Sequence, residues 1–294
     1  MNPVGIISMS YARPFTKAHL PLLKRVKAAG LDFIEMLVPE PGEIALGELR
    51  IAIEDAGLAV ALAARMNSSR DPSSEGAIAR KEGREYLKRC VDVAVAVGAR
   101  IVGGPIYGAP LVFAGRAPAP VEEKRRQQKV KWAVEALAEA GVYAASLDVV
   151  LAIEPLNRFE TDLCNTARHA VELVQLARAP GLGVMLDTFH MNMEESDMAG
   201  AIKRAGKRLV HFQANENHRG FLGSGHIDWA TVCHALAAAK YKGPITLEPF
   251  RREDDRLGVP LAQWRPPARD EDKDIAASAK LLRRYLDAAG GRAA

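Results

Sequence analysis

The sequence predicts a (β/α)8 barrel, in which eight parallel β-strands close into a barrel and α-helices surround it. Short apolar or β-branched runs alternate with longer amphipathic runs eight times along the 294 residues. Strict alternation favours a parallel sheet, and eight units are the number that closes a barrel. No change of composition marks a domain boundary, so we expect one domain over residues 1–294. An open nucleotide-binding sheet is disfavoured, because no GxGxxG follows the first strand and no GxxxxGK[ST] occurs.

The strand candidates are rich in valine, isoleucine, leucine and alanine, as buried parallel strands are. In chain order they lie at residues 4–10, 33–38, 59–65, 100–107, 149–155, 183–188, 209–214 and 244–249. The helix candidates carry apolar residues at helical spacing. In chain order they lie near residues 17–29, 46–56, 76–97, 121–140, 166–178, 197–205, 229–240 and 271–289.

Residues at the ends of these helices support the assignment. Four glycines follow helix candidates at the position where a left-handed C-cap is favoured: Gly30, Gly57, Gly98 and Gly243. Asn165 or Thr166 is placed to cap the helix that begins at Ala167, and Asp228 to cap the helix that begins at Trp229.

The composition is that of a globular protein with no strong preference for a charged partner. Hydrophobic residues make up 48%, and 40 Lys and Arg against 36 Asp and Glu give a net charge of +4. We interpret the basic cluster from Lys124 to Lys131 as a solvated helix face rather than a nucleic-acid site. The three cysteines are widely separated, and neither a signal peptide nor a membrane-spanning apolar run is evident. We therefore expect a cytoplasmic protein without nucleic-acid or membrane partners.

Four oxygen-bearing side chains lie at the ends of four consecutive predicted strands: Glu154, Asp187, Gln213 and Glu248. The C-terminal ends of barrel strands form the face that carries active sites, and consecutive strands are neighbours. One such acid is explained equally well by a helix cap or an arginine partner, whereas four on consecutive strands favour a shared site. Carboxylate and amide oxygens are hard ligands, so the pattern predicts a divalent cation such as Mn²⁺ or Mg²⁺.

Longer motifs surround these residues: EPLNRFE at 154–160, LDTFHMNMEE at 186–195, ENHR at 216–219 with GSGHIDW at 223–229, and EPF at 248–250. Together they resemble the ketose 3-epimerases, the D-tagatose and D-allulose 3-epimerases of the xylose-isomerase-like barrel superfamily. The resemblance is dense from about residue 149 onward.

The resemblance implies a role for each matching residue. Glu154 and Glu248 are similar to the two metal-bound glutamates that act as acid and base, and Asp187 to a third metal ligand. Three further residues match positions that contact the sugar oxygens near C1 to C3: Glu160, His190 and Arg219. It also implies a homodimer or homotetramer.

The chemistry agrees with this assignment. Inversion at C3 of a ketose removes the proton α to the C2 carbonyl and returns a proton to the opposite face, through a cis-enediolate. Two carboxyl groups on opposite faces provide both transfers, and a divalent cation acts as the Lewis acid. We therefore predict a metal-dependent ketose 3-epimerase that acts on free keto-sugars such as D-tagatose, D-fructose, D-allulose or L-ribulose. We expect Mn²⁺, with Mg²⁺ or Co²⁺ as alternatives, and no organic cofactor.

One position departs from the family pattern. The ketose 3-epimerases carry His-x-His at the end of strand seven, whereas this chain has His211-Phe212-Gln213, which is similar to the His-x-Gln of hydroxypyruvate isomerases. Gln213 then occupies the ligand position, and His211 is either a packed histidine near the site or a metal ligand.

This departure keeps other functions open on the same barrel: an aldose–ketose or hydroxypyruvate-type isomerase, or a 3-oxo-glycoside lyase subunit. A DNA-repair endonuclease of this fold needs a histidine cluster for three zinc ions, which the 7 histidines do not form. A non-catalytic sugar-binding barrel has no use for two metal-bound acids. Phe113 and Trp264, in the long loops 107–120 and 250–270, are candidates for an apolar wall over the sugar or for simple loop packing.

Overall fold

A computed structural model describes residues 2–110, 122–250 and 271–291. Within these ranges eight parallel strands form a closed barrel in which each strand pairs with the next and the last pairs with the first. The strands are β1 (Val4–Ile7), β2 (Phe33–Leu37), β3 (Ala59–Ala63), β4 (Ile101–Gly104), β5 (Val150–Ile153), β6 (Leu182–Asp187), β7 (Leu209–Ala214) and β8 (Ile245–Leu247). The predicted (β/α)8 barrel is confirmed, and every predicted strand overlaps an observed one.

The described part of the chain contains nine α-helices. They are α1 (Leu22–Ala28), α2 (Leu46–Asp55), α3 (Ala77–Val97), α4 (Glu123–Ser146), α5 (Ala167–Ala177), α6 (Thr188–Glu194), α7 (Met198–Ala205), α8 (Trp229–Ala238) and α9 (Glu271–Ala289). Among them none is long and apolar enough to cross a membrane. Phe113 and Trp264 lie outside the described residues.

Three helices differ from the prediction. The predicted helix 17–29 is a 3₁₀ turn, Lys17–His19, followed by α1, with Pro21 at the N-cap of α1. Helix α4 continues to Ser146 instead of ending near residue 140, so Gly141 lies inside it. The seven-residue helix α6 follows β6 directly and is not among the predicted helices.

Most of the predicted caps are confirmed. Thr166 accepts a hydrogen bond from the backbone N–H of His169, and Asp228 accepts one from Thr231. The glycines after α1, α2 and α3 have φ values of +79°, +66° and +82°. The prediction for Gly243 is wrong, since the residue with positive φ after α8 is Lys240, at +56°.

A close approach between α4 and the start of β6 explains why Gly141 lies within a helix. A Cβ on Gly141 would lie 2.7 Å from the Cβ of Ala179 and from Cγ of Leu182. A Cβ on Gly181 would meet the carbonyl oxygen of Gly141 and lie 2.7 Å from the backbone nitrogen of Ala145. The backbone atoms beside Gly181 cannot move aside cheaply, and neither can the Cβ of Ala179 beside Gly141, so both positions favour glycine.

We expect Gly181→Ala to lower the free energy of unfolding by about 2 kcal/mol, as overpacking against backbone does. Gly47→Ala is the matched control, because no atom lies within 4 Å of its new Cβ on α2 and alanine favours helix by about 0.5–1 kcal/mol. Urea denaturation of both variants measures the effect. Equal stability of the two variants would contradict the close packing.

Candidate active site

The C-terminal ends of the strands surround a cavity of about 310 Å³. Six of the seven residues that the sequence predicts for the site line this cavity: Glu154, Glu160, His190, Gln213, Arg219 and Glu248. The seventh, Asp187, is fully buried and contacts Arg219. The structure therefore brings all seven predicted residues together at the mouth of the barrel.

Glu154 follows β5 directly and is anchored to β4, since its backbone N–H donates to the carbonyl oxygen of Gly104 at 3.0 Å. Gly104 has a φ of +126°, a backbone conformation that glycine adopts readily. Burial raises the pKa of the Glu154 carboxyl well above its ordinary value, and the neighbouring carboxylates of Asp187 and Glu248 raise it further. Glu154 therefore favours its protonated form when no cation is bound.

Asp187 is both the last residue of β6 and the N-cap of α6. Its Oδ1 accepts hydrogen bonds from the backbone N–H of Phe189 and from Nδ2 of Asn215, each at 2.8 Å. Its Oδ2 lies 2.7 Å from Nη1 of Arg219. The helix thus begins where the strand ends, and this cap fixes the orientation of the carboxylate.

Glu248 follows β8 and shares both of these polar partners. Its Oε2 accepts from Nη1 of Arg219 at 2.8 Å and from Nδ2 of Asn215 at 3.2 Å. Its backbone N–H donates to Oδ1 of Asn215 at 3.0 Å. Burial raises the pKa of Glu248 to about 8, a rise that Arg219 opposes and Asp187 supports.

Arg219 supplies positive charge to these carboxylates. Its guanidinium lies between two aromatic rings, 3.9 Å from the ring centre of Phe189 and 4.5 Å from that of Phe250. Burial opposes its charge, but Asp187 and Glu248 outweigh burial and raise its pKa. The backbone of Arg219 has a φ of +60°, which a residue with a side chain adopts only when its surroundings hold it there.

His190, on α6, presents a hydrogen-bond donor to the cavity. Its Nδ1 accepts from the backbone N–H of Asn157 at 3.1 Å and lies 2.9 Å from Nδ2 of the same residue. Burial lowers the pKa of His190, so the ring is neutral and carries its single hydrogen on Nε2. Asn157 Nδ2 also donates to Oε1 of Glu160 at 2.8 Å, which connects the two predicted substrate contacts.

Gln213 lies on β7, where it is paired in register with Asp187 of β6 and Thr246 of β8. Its Nε2 donates to Oε2 of Glu35 at 3.3 Å. His211, two residues earlier on β7, is fully buried and contacts the same Glu35 oxygen at 3.0 Å. In this structure His211 is therefore a packed histidine whose Nε2 faces Glu35.

The donor atoms of the site fit a divalent cation. Glu154, Asp187 and His190 each place a potential ligand atom within 4.8 Å of the others, and Glu248 shares Arg219 with Asp187. Among the described residues Gln213 Oε1 has no hydrogen-bond partner, although it is buried. The pKa values of the two glutamates are raised by burial first and by neighbouring negative charge second, and a bound cation would offset both. His190 is the poorest ligand of the group, because its Nε2 carries a hydrogen.

Two residues that the sequence does not single out organise the site. Asn215 holds Asp187 and Glu248 together, and Glu35 holds Gln213. The sequence does carry a signal for Glu35, because an acid in the middle of the apolar run Phe33–Leu37 is costly to bury without a polar partner. Asn215 carries no comparable signal, because asparagine is common in loops that follow strands.

The raised pKa of Glu248 predicts a pH-dependent difference in stability. In the metal-free protein the folded-state pKa of Glu248 is about 8, against 4.5 for the ordinary group. The protonated side chain therefore stabilises the folded state fully below about pH 4.5, and this stabilisation is lost as the pH rises towards 8. We expect Glu248→Gln to gain stability relative to the wild type between pH 5 and pH 8, by about 2 °C or more in Tm. Thermal denaturation of both EDTA-treated proteins tests this. A Tm difference that is constant across this pH range would contradict it.

Three comparisons with known proteins agree with this geometry. A family model described as "Xylose isomerase-like TIM barrel" matches residues 23–285. An L-ribulose 3-epimerase from Methylomonas sp. is 33% identical over 253 residues, which cover 85% of this chain and 85% of that protein. A ketose 3-epimerase from Arthrobacter globiformis is 33% identical over 234 residues, which cover 78% of this chain and 76% of the relative.

The fold also matches that of a solved structure. A structure of an L-ribulose 3-epimerase superposes with a TM-score of 0.91 at 29% identity, covering 98% of this chain and 96% of the other. The resemblance predicted from the sequence motifs is therefore confirmed.

Proposed function

Because the chain belongs to the xylose isomerase-like TIM-barrel family and, within it, to the ketose 3-epimerases, we propose that it inverts the configuration at C3 of free keto-sugars. The relatives that match most of its length are named as epimerases of L-ribulose, D-psicose or ketoses. The protein is accordingly an isomerase. The alternatives of an aldose–ketose isomerase, a hydroxypyruvate-type isomerase or a lyase subunit are not favoured by these matches.

The observation that carries the proposal is the placement of two buried glutamates on one cavity. Glu154 follows β5 and Glu248 follows β8, so their carboxyl groups reach the cavity from different sides of the barrel mouth. Burial raises the pKa of each, and their charges and that of Asp187 repel one another. Such a pair favours a state with one carboxyl protonated and the other ionised.

This state is what epimerisation requires. The ionised carboxylate removes the proton from C3 of the ketose, and the planar enediolate that results is then protonated from the opposite face by the other carboxyl group. For the reverse reaction the two glutamates exchange roles. Neither step needs an organic cofactor.

The remaining predicted residues bind and orient the sugar in this proposal. The Nε2–H of His190 lies 3.3 Å from Nη2 of Arg219 and 3.6 Å from Glu154 Oε1 and Asp187 Oδ2. Because the guanidinium is also a donor, a substrate oxygen can accept from both side chains. Arg219 and Glu160 line the same cavity and supply donors and an acceptor for the hydroxyl groups near C1 to C3.

We propose that Glu154, Asp187, Gln213 and Glu248 hold a divalent cation, with Mn²⁺ preferred and Mg²⁺ or Co²⁺ as alternatives. A bound divalent ion would supply Lewis-acid polarisation of the substrate oxygens beside C3. The three carboxylates and the unpaired amide oxygen of Gln213 support this proposal, because all are hard donors.

Three further proposals follow from the sequence and the family. We propose that residues 1–294 form one domain, that the protein is a homodimer or homotetramer, and that it works in the cytoplasm on a small keto-sugar without nucleic-acid or membrane partners.

The proposal is tested by supplying Mn²⁺-loaded protein with D-psicose, D-tagatose and L-ribulose separately. Chromatography of each mixture identifies the product. Formation of the C3 epimer from at least one of these ketoses supports the proposal. Accumulation of an aldose instead of an epimer would overturn it in favour of C1–C2 isomerisation.

A further inference from the structure

A carboxylate lies inside the barrel, beneath the residues proposed to act on the substrate. Glu35 on β2 is 0% exposed, and its Oε2 lies 3.0 Å from Nε2 of His211 and 3.3 Å from Nε2 of Gln213. Strands β2 and β7 are not neighbours in the barrel, so these contacts cross its interior. A buried carboxylate is retained only where its partners offset the cost of removing it from water.

The contact with Glu35 determines which end of the Gln213 amide faces the cavity. An amide group has a nitrogen that donates and an oxygen that accepts, and rotating it by half a turn exchanges the two. The carboxylate of Glu35, which already faces His211, accepts hydrogen bonds. Gln213 therefore turns its Nε2 towards Glu35, because the opposite orientation would place two acceptor oxygens against each other.

The amide oxygen of Gln213 is consequently turned away from Glu35. It is buried and has no hydrogen-bond partner within the described ranges, while its side chain lines the cavity with Glu154 and Glu248. An unpaired buried acceptor is costly unless a ligand satisfies it. Since Glu154 and Glu248 line the same cavity, a cation is the ligand that suits this oxygen.

We propose that Glu35 is a positioning residue for the metal centre: it fixes the Gln213 amide so that Oε1, rather than Nε2, is offered to the divalent cation. The inference rests on the proposed function, because it assumes the cation that Glu154, Asp187 and Glu248 would hold. A reversed amide would present N–H groups to that cation and would weaken binding. Residues that orient metal ligands in this way typically change affinity by 10–100-fold when they are replaced.

The test measures the affinity of the metal-free full-length protein for Mn²⁺ by the EPR signal of free Mn²⁺. Glu35→Asp keeps the negative charge but withdraws the acceptor by one methylene, so we expect affinity to fall about tenfold. Gln213→Ala removes the amide. In the Gln213→Ala background, Glu35→Asp is expected to change affinity less than about twofold, because the residue acts through the amide.

Thr246→Val is the matched control. The hydroxyl of Thr246 lies 3.2 Å from the same His211 nitrogen, so this change disturbs the interior without removing the partner of the Gln213 amide, and we expect it to leave Mn²⁺ affinity unchanged. If Glu35→Asp does not unfold cooperatively on heating, Glu35→Gln replaces it. This variant keeps the size of the side chain but offers an amide that allows Gln213 to reverse, and the same tenfold loss is expected.

Wild-type affinity in the Glu35 variants would overturn the inference. So would a loss of equal size in the Gln213→Ala background, because that would reflect a general electrostatic or structural effect. These outcomes leave the proposed function standing if the wild-type protein still epimerises ketoses. A wild-type protein that binds no Mn²⁺ and epimerises no ketose would overturn both proposals.

Discussion

Replacing Glu154 or Glu248 with glutamine is expected to lower kcat for C3 epimerisation by about 10³-fold. Each variant keeps the size and the burial of the side chain but cannot accept the C3 proton. The remaining glutamate still reaches one face of C3, so each variant should exchange the C3 proton of one epimer with solvent and not that of the other. Kinetics with both epimers, followed by NMR in D₂O, measures the rate and the exchange together.

Glu54→Gln is the control for loss of a carboxylate elsewhere, since Glu54 pairs with Arg50 on the exposed surface of α2. Its kcat should stay within about twofold of the wild type. Loss of Mn²⁺ binding is a second reason for a slow variant, so each protein is assayed at saturating Mn²⁺. Wild-type kcat in either glutamine variant would contradict the two-glutamate mechanism, as would exchange of both epimers by both variants.

Removal of divalent metal is expected to lower kcat/KM by about two orders of magnitude or more, because Lewis-acid stabilisation contributes several kcal/mol. Dialysis against EDTA followed by addition of Mn²⁺ should abolish and then restore activity.

Asp187→Asn tests one proposed metal ligand. Its amide oxygen can still accept from the backbone N–H of Phe189 and cap α6, while one negative charge is lost. Its amide nitrogen then faces Arg219 in place of Oδ2, so we expect a lower Tm as well as a Mn²⁺ affinity lower by about tenfold.

Full activity after EDTA treatment, with metal absent by elemental analysis, would contradict the metal-dependent proposal. If the Asp187→Asn variant binds Mn²⁺ as tightly as the wild type, Asp187 is not a ligand, and the other three proposed ligands are unaffected by that result.

The sequence predicts the barrel and the composition of the site well because both follow from local patterns. Alternating apolar and amphipathic runs are visible residue by residue, and an acid such as Glu154 or Glu248 stands out at the end of an apolar strand. Once the strand order is assigned, the barrel places consecutive strand ends side by side. All seven predicted residues are accordingly found at one cavity or in contact with it.

The features that the sequence does not predict depend on contacts between distant segments. Gly141 has the appearance of a helix end, but it lies within α4 because β6 packs against it. Helix α6 is too short to show an amphipathic period, and it begins because the side chain of Asp187 caps it. Glu35 meets Gln213 only because the closed barrel brings β2 and β7 to face each other across its interior.

The central claim is that Glu154 and Glu248 serve opposite faces of C3 in a single keto-sugar. The most direct measurement is incubation of the Mn²⁺-loaded wild-type protein with D-psicose, D-tagatose or L-ribulose in D₂O, with the position of deuterium read by NMR. The account predicts deuterium at C3 together with inversion at that carbon, and none at C1. Deuterium at C1 or C2 with formation of an aldose, and none at C3, would contradict it.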